Sequence, residues 1–191
     1  MKKNKWIFAI AIASLGWVAC DDDDDGLLDR QTLNDADETF VEVAARSNMA
    51  EIEFAQVART KATDSLVKDF ARHMITDHTT AQDELEELAD DYAGIEWPKD
   101  LDEGHEAILD QLNEAEGHSF DSLYMSTQVQ MHEDAVNTFQ TAGTGATDAR
   151  VKSYANKYLP HLEMHLERAD SIHTVIIAKE GAQGTDGTGT D

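Results

Sequence analysis

"ARHMITDHTTAQDELEELADDY", Ala71 to Tyr92, places apolar or aromatic side chains at 71, 74, 81, 85, 88 and 92, and a histidine at 78 in the same series. The steps alternate between three and four residues, the spacing of one helical face. Ala, Leu, Glu, Asp and Met dominate the neighbouring segments, and the whole chain has only two prolines, Pro98 and Pro160. Such composition favours long helices.

Reading outward, four long helices are predicted. The first spans about 34–62, capped by Asn34 or Asp35 with acids in its first turn. The second follows Thr63-Asp64 and runs to about Ala93, where Gly94 is a natural stop. The third covers about His118–Ala142, ended by "GTG", and the fourth about Thr147–Lys179, with a kink expected at Pro160. A short helix is expected around Asp102–Ala115 in the connector.

Each long helix has one seam. The first reads Phe40, Ala44, Ser47, Glu51, Phe54, Ala58. The third reads Met125, Val129, His132, Val136, Phe139, and the fourth Val151, Ala155, Tyr158, Leu162, His165, Ala169, Ile172, Ile176. Four such seams specify an all-α, ferritin-like four-helix bundle. Short connections make two antiparallel hairpins, and the long connector with its extra helix is a crossover between the second and third long helices. No repeat between the two hairpins stands out.

The chain ends read differently. Met1 to Lys5 is basic, Trp6 to Val18 is almost wholly apolar, and Cys20, the only cysteine, precedes Asp21–Asp25. This is the signal-peptide plan, with an apolar run too short to span a bilayer. Val18-Ala19-Cys20 resembles a bacterial lipobox, with Trp17 where Leu is usual. Lipidation would consume a thiol that has no internal partner, and more than one acyl chain gives stable anchoring. The expected plan is signal peptide 1–19, lipidated Cys20 and acidic linker 20–33, bundle 34–180 and disordered tail 181–191. The expected location is the bacterial envelope, as an outer-membrane or surface lipoprotein, with a periplasmic or secreted protein as the alternative. The expected partner is the membrane, through the lipid.

A net charge of −24 repels nucleic acid and anionic lipid. The chain has no Gly-rich phosphate loop, no Gly-x-Ser-x-Gly elbow and no Cys-x-x-Cys pair, so nucleophilic catalysis has no candidate. What remains is one polar residue of ligand type on each seam: Glu51, His78, His132 and His165. Imidazoles and a carboxylate aimed inward from four helices are how bundle metal sites are built. His161 is a further candidate ligand, and Asp77 and Glu133 could orient the ligands. The residue types fit Fe, Zn or Cu without choosing between them. Counted from the connections, His78 and His132 come out level, His165 about ten ångströms away and Glu51 between. The Glu-x-x-His pair of di-iron bundles is absent from the last three long helices, which argues against a ferroxidase. The methionines read as core fillers, and His73, His105, His118 and His173 as exposed.

Three segments carry a family resemblance: "NMAEIEFAQVARTKATDSLVKDFARHMITDHTTAQDEL", "GHSFDSLYMSTQVQMHEDAV" and "YLPHLEMHLERA". Together they resemble the bacterial domain of unknown function 4142 family. The resemblance implies a secreted or envelope protein with a ferritin-like fold and implies no activity. The sequence thus favours a lipid-anchored structural or partner-binding module, with a metal-binding or redox protein using the inward His/Glu set as the alternative.

Overall fold

Asn34 opens the first helix: its Oδ1 accepts from the backbone N–H groups of Ala36 and Asp37 at 3.0 and 3.1 Å. Asp35, Asp37 and Glu38 fill the first turn of this helix, α1 (Asp35–Lys61), where negative charge meets the positive end of the helix dipole. The computed structural model describes residues 30–184, so the leader, Cys20, Asp21–Asp25 and most of the expected tail lie outside the described residues. Asp64 caps α2 (Ser65–Ala89), and Asp102 caps α3 (Glu103–Glu114), the short helix of the crossover. The second hairpin joins α4 (Gly117–Gly145) to α5 (Ala149–Gly184). Among the described residues the only β feature is an isolated bridge between Gln31 and Tyr92.

The protein is an all-α bundle in which α1 pairs most closely with α2, and α4 with α5. Several boundaries differ from the sequence expectation. α2 ends at Ala89 rather than Ala93, and Gly94 takes φ +96° in the turn beyond. α4 continues through "GTG", because α5 caps its last carbonyls: Asn156 Nδ2–H donates to the Gly143 carbonyl at 2.8 Å, and Lys152 Nζ to that of Thr144 at 2.9 Å. Gly143 leaves room for this contact, since a Cβ there would stand 2.9 Å from Asn156 Oδ1 and displace the amide. α5 runs through Pro160 and on to Gly184, past the boundary expected at 180.

The two hairpins are built alike. Ala62-Thr63-Asp64 and Ala146-Thr147-Asp148 form the two turns, 84 residues apart. Each turn is pinned by a buried aspartate from the opposite hairpin. Asp121 accepts from the N–H groups of Thr63 and Asp64, both at 2.9 Å. Asp37, also 84 residues before Asp121, accepts from those of Thr147 and Asp148 at 3.1 and 2.7 Å. An internal repeat is therefore present.

Apolar burial divides into two clusters. One holds Phe40, Leu85, Phe139 and Tyr154, and the other Phe54, Phe70, Met74, Phe120 and Tyr124. Truncating a buried phenylalanine in such a core typically costs ~3–5 kcal/mol. Between the clusters, in sequence position on every long helix, lies one buried polar layer: Asn48, Glu51, His78, Gln128, His132 and His165. Of the methionines, Met74 and Met125 fill the core, whereas Met164 is 52 % exposed. Of the outlying histidines His73 is exposed, but His105, His118 and His173 are half-buried. His105 is covered because α3 brings it against the Phe54 ring, 6.2 Å between centroids.

Candidate metal centre

Helix periodicity aims His78 from α2, His132 from α4 and His165 from α5 into the layer, where they are 4 %, 1 % and 3 % exposed. Their ring centroids are 5.4–5.7 Å apart. One ligand nitrogen from each lies within 4.8 Å of the other two. The separation of about ten ångströms expected for His165 is not observed. Its cause was the turn: α4 ends three residues later than expected and α5 begins two later. His132 then stands thirteen residues before the end of α4, and His165 sixteen after the start of α5. The remaining three-residue offset amounts to ~4.5 Å of rise.

Each ring is oriented through its other nitrogen. Tyr154 O–H donates to the Ala81 carbonyl at 3.1 Å, and its oxygen accepts from Asn48 Nδ2–H at 3.3 Å. That fixes the Asn48 amide so that its Oδ1 accepts from His78 Nδ1–H at 2.9 Å. His132 Nδ1–H donates to the main-chain carbonyl of Gln128, also at 2.9 Å. His165 Nε2–H donates to the Asp77 carboxylate at 2.9 Å. All three partners are acceptors, so each ring takes the tautomer with its proton on that side. The lone pairs fall on His78 Nε2, His132 Nε2 and His165 Nδ1. These three atoms are buried and have no hydrogen-bond partner among the described residues.

Burial holds His78 well below its ordinary value, with His132 and His165 adding to the effect. His165 is lowered to about 4, again chiefly by burial and then by His132, against the opposing pull of Asp77. These rings are therefore neutral near pH 7, the state in which imidazole binds a metal. Three buried acceptors with no donor among them are costly unless something electrophilic completes them. A hydrogen-bond donor or a metal ion would complete them, and an acceptor holding the far side of each ring is the usual support of a metal-binding histidine. An ion ~2.0–2.1 Å from each nitrogen would draw the rings together by roughly an ångström.

Glu51 occupies a different place. Its Oε2 accepts from Gln128 Nε2–H at 2.7 Å, and its Oε1 lies 3.6 Å from His132 Nδ1, the nitrogen already bonded to the Gln128 carbonyl. Glu51 therefore stands beside the trio rather than within the three-nitrogen group. Burial raises its carboxyl above the ordinary value, partly offset by His132 and the Gln128 bond. His161 is exposed, one turn before His165, and Glu133 is exposed on α4. Asp77 orients the His165 ring. Asn48 and the Gln128 carbonyl were not anticipated.

A family model described as a domain of unknown function, DUF4142, matches residues 26–172. The chain belongs to the DUF4142 family. Among curated proteins none matches this DUF4142 chain. Solved structures match its fold. A DUF305 fragment from Deinococcus radiodurans has a TM-score of 0.67 at 11% identity, covering 75% of this chain and 98% of that one. CopM in its Cu(II)-bound form gives 0.62 at 18% identity, with 72% and 95% covered. A DUF305 protein of Streptomyces coelicolor, assigned as secreted, gives 0.64 at 14% identity, with 74% and 92% covered. At these identities the likeness establishes the fold alone. No described helix of this DUF4142 domain is long and apolar enough to cross a membrane.

Proposed function

We propose that this DUF4142 protein binds one transition-metal ion through His78 Nε2, His132 Nε2 and His165 Nδ1. The observation that carries the reading is the convergence of three buried, unpartnered ring nitrogens, each ring held in the ligand tautomer by Asn48, the Gln128 carbonyl or Asp77. Neutral imidazoles suit copper, zinc, iron and nickel. The Cu(II)-bound state of CopM, a protein of the same fold, favours copper. Glu51 supplies a buried carboxylate beside His132 that offsets the charge of the ion. Three protein ligands leave a coordination position open, which suits capture and release of an ion as well as redox chemistry.

The envelope setting belongs to the same proposal. Cys20 after an apolar leader supports lipid anchoring, and the secreted assignment of the Streptomyces coelicolor relative supports export. Thermal melts test the metal reading. An ion that binds only the folded state at ~100 times Kd adds about 2.7 kcal/mol. Cu²⁺ or Zn²⁺ should raise Tm and a chelator reverse it, with the shift absent in His78→Ala and His132→Ala. Melting indifferent to every ion would leave the layer a structural polar network.

A further inference from the structure

The three ring nitrogens are buried, so an ion needs a way in. A pocket of about 170 Å³ between α2 and α5 is lined by two of the three ligand rings, His78 and His165. It is also lined by His161, an exposed residue one turn before His165 on α5. Residues four apart lie on the same helical face, and histidines at that spacing form a two-point metal site on a helix. Asp77, which orients His165, adds a carboxylate to the same wall, Glu84 pairs there with Lys157, and Thr80 stands exposed at the rim.

We propose that this pocket is the route by which a divalent transition-metal ion reaches and leaves the buried trio, with His161 as its first ligand. The inference rests on the trio being a metal site. The ion, stripped of part of its water, is held by His161 from the solvent side. His165 Nδ1 then takes it from within, and His78 and His132 complete its coordination as His161 lets go. His161 acts on passage and is not a resident ligand. It therefore affects uptake and release equally.

The test is stopped-flow transfer of Cu²⁺ from a weak chromophoric chelator to the full chain. A group that stabilises only the passage changes both rates and not the equilibrium, so His161→Ala should slow uptake and release together by roughly tenfold. Thr80→Trp, which narrows the rim from an exposed position, should do the same while keeping the final stoichiometry. His165→Ala should instead weaken equilibrium binding. The route is overturned if His161→Ala and Thr80→Trp load at the unmodified rate. It is also overturned if His161→Ala weakens equilibrium binding as much as His165→Ala, which would make His161 a resident ligand. An unmodified chain that takes up no Cu²⁺ would overturn the trio itself, and that result is distinct from normal loading by the pocket variants.

Discussion

Asn48 and His78 stand level on neighbouring antiparallel helices, and the Asn48 Oδ1 accepts from His78 Nδ1–H at 2.9 Å. Each lies thirteen residues from the α1–α2 turn, Asn48 before Lys61 and His78 after Ser65. Asn48→Ala would leave the His78 Nδ1–H without an acceptor and free the ring to take the wrong tautomer. Loss of such a supporting contact typically lowers metal affinity ~10–100-fold, and an orphaned buried donor costs ~1–3 kcal/mol. Competition against a chelator and denaturant melts of the metal-free protein would measure the two effects. Unchanged affinity would mean that the amide does not set the ring.

The metal-free protein should lose stability as pH falls from about 6.5 towards 4. His78 and His165 lie below the free histidine value of about 6.5, His78 well below and His165 at about 4. The unfolded chain therefore takes up protons first. The contribution of these rings is complete above the unfolded value and is lost as pH falls through the folded one. Glu51 acts in the opposite sense, since its raised carboxyl favours the fold at low pH. For His165 the loss is of order 2–3 kcal/mol, His78 adds to it, and Glu51 offsets part of the total. Tm measured in chelator from pH 7 to 5 should fall, and the fall should shrink in His78→Gln. A flat profile would contradict neutral buried rings.

The seams were legible where packing alone decides them. Every seam residue read on α2 and α5 is buried, from Ala71 to Leu88 and from Val151 to Ile176, His78 and His165 included. On α1 and α4 the choice between steps of three and four was ambiguous. The seam passes through Asn48 rather than Ser47, and through Gln128 rather than Val129. Both misses favoured a less committed side chain over the amide that supports a ligand. The bond from His132 goes to a main-chain carbonyl, which no side-chain pattern reveals. The internal repeat was hidden for a related reason: an 84-residue shift sets His132 against Asn48, His78 against Leu162 and His165 against Ala81. The ligands differ between hairpins, while the turns and their aspartates recur.

Those aspartates give a prediction of their own. Asp37 and Asp121 each accept backbone N–H groups at the opposite hairpin's turn. Replacing either by alanine removes hydrogen bonds from part-buried backbone donors to a buried carboxylate and should cost ~1–3 kcal/mol. The sites sit at separate turns with no shared partner, so the double variant should cost the sum within ~0.5 kcal/mol. Urea melts decide this. A double variant no worse than one single would show that the two turns form one cooperative unit.

Anchoring is tested at Cys20. With a lipidated cysteine the chain should partition into the membrane fraction, carry the added mass of a diacylglycerol, and move to the soluble fraction as Cys20→Ala. An unchanged mass and distribution in Cys20→Ala would point instead to an unanchored exported protein.

The metal content of the full chain, measured by elemental analysis after loading with Cu²⁺ and removal of excess ion, bears most directly on the His78–His132–His165 centre. The expected result is close to one equivalent in the unmodified protein and in His173→Ala, and loss of the tightly held ion in His78→Ala, His132→Ala and His165→Ala. A chain that retains no metal, or one in which the three alanine variants retain as much as the unmodified protein, would contradict it.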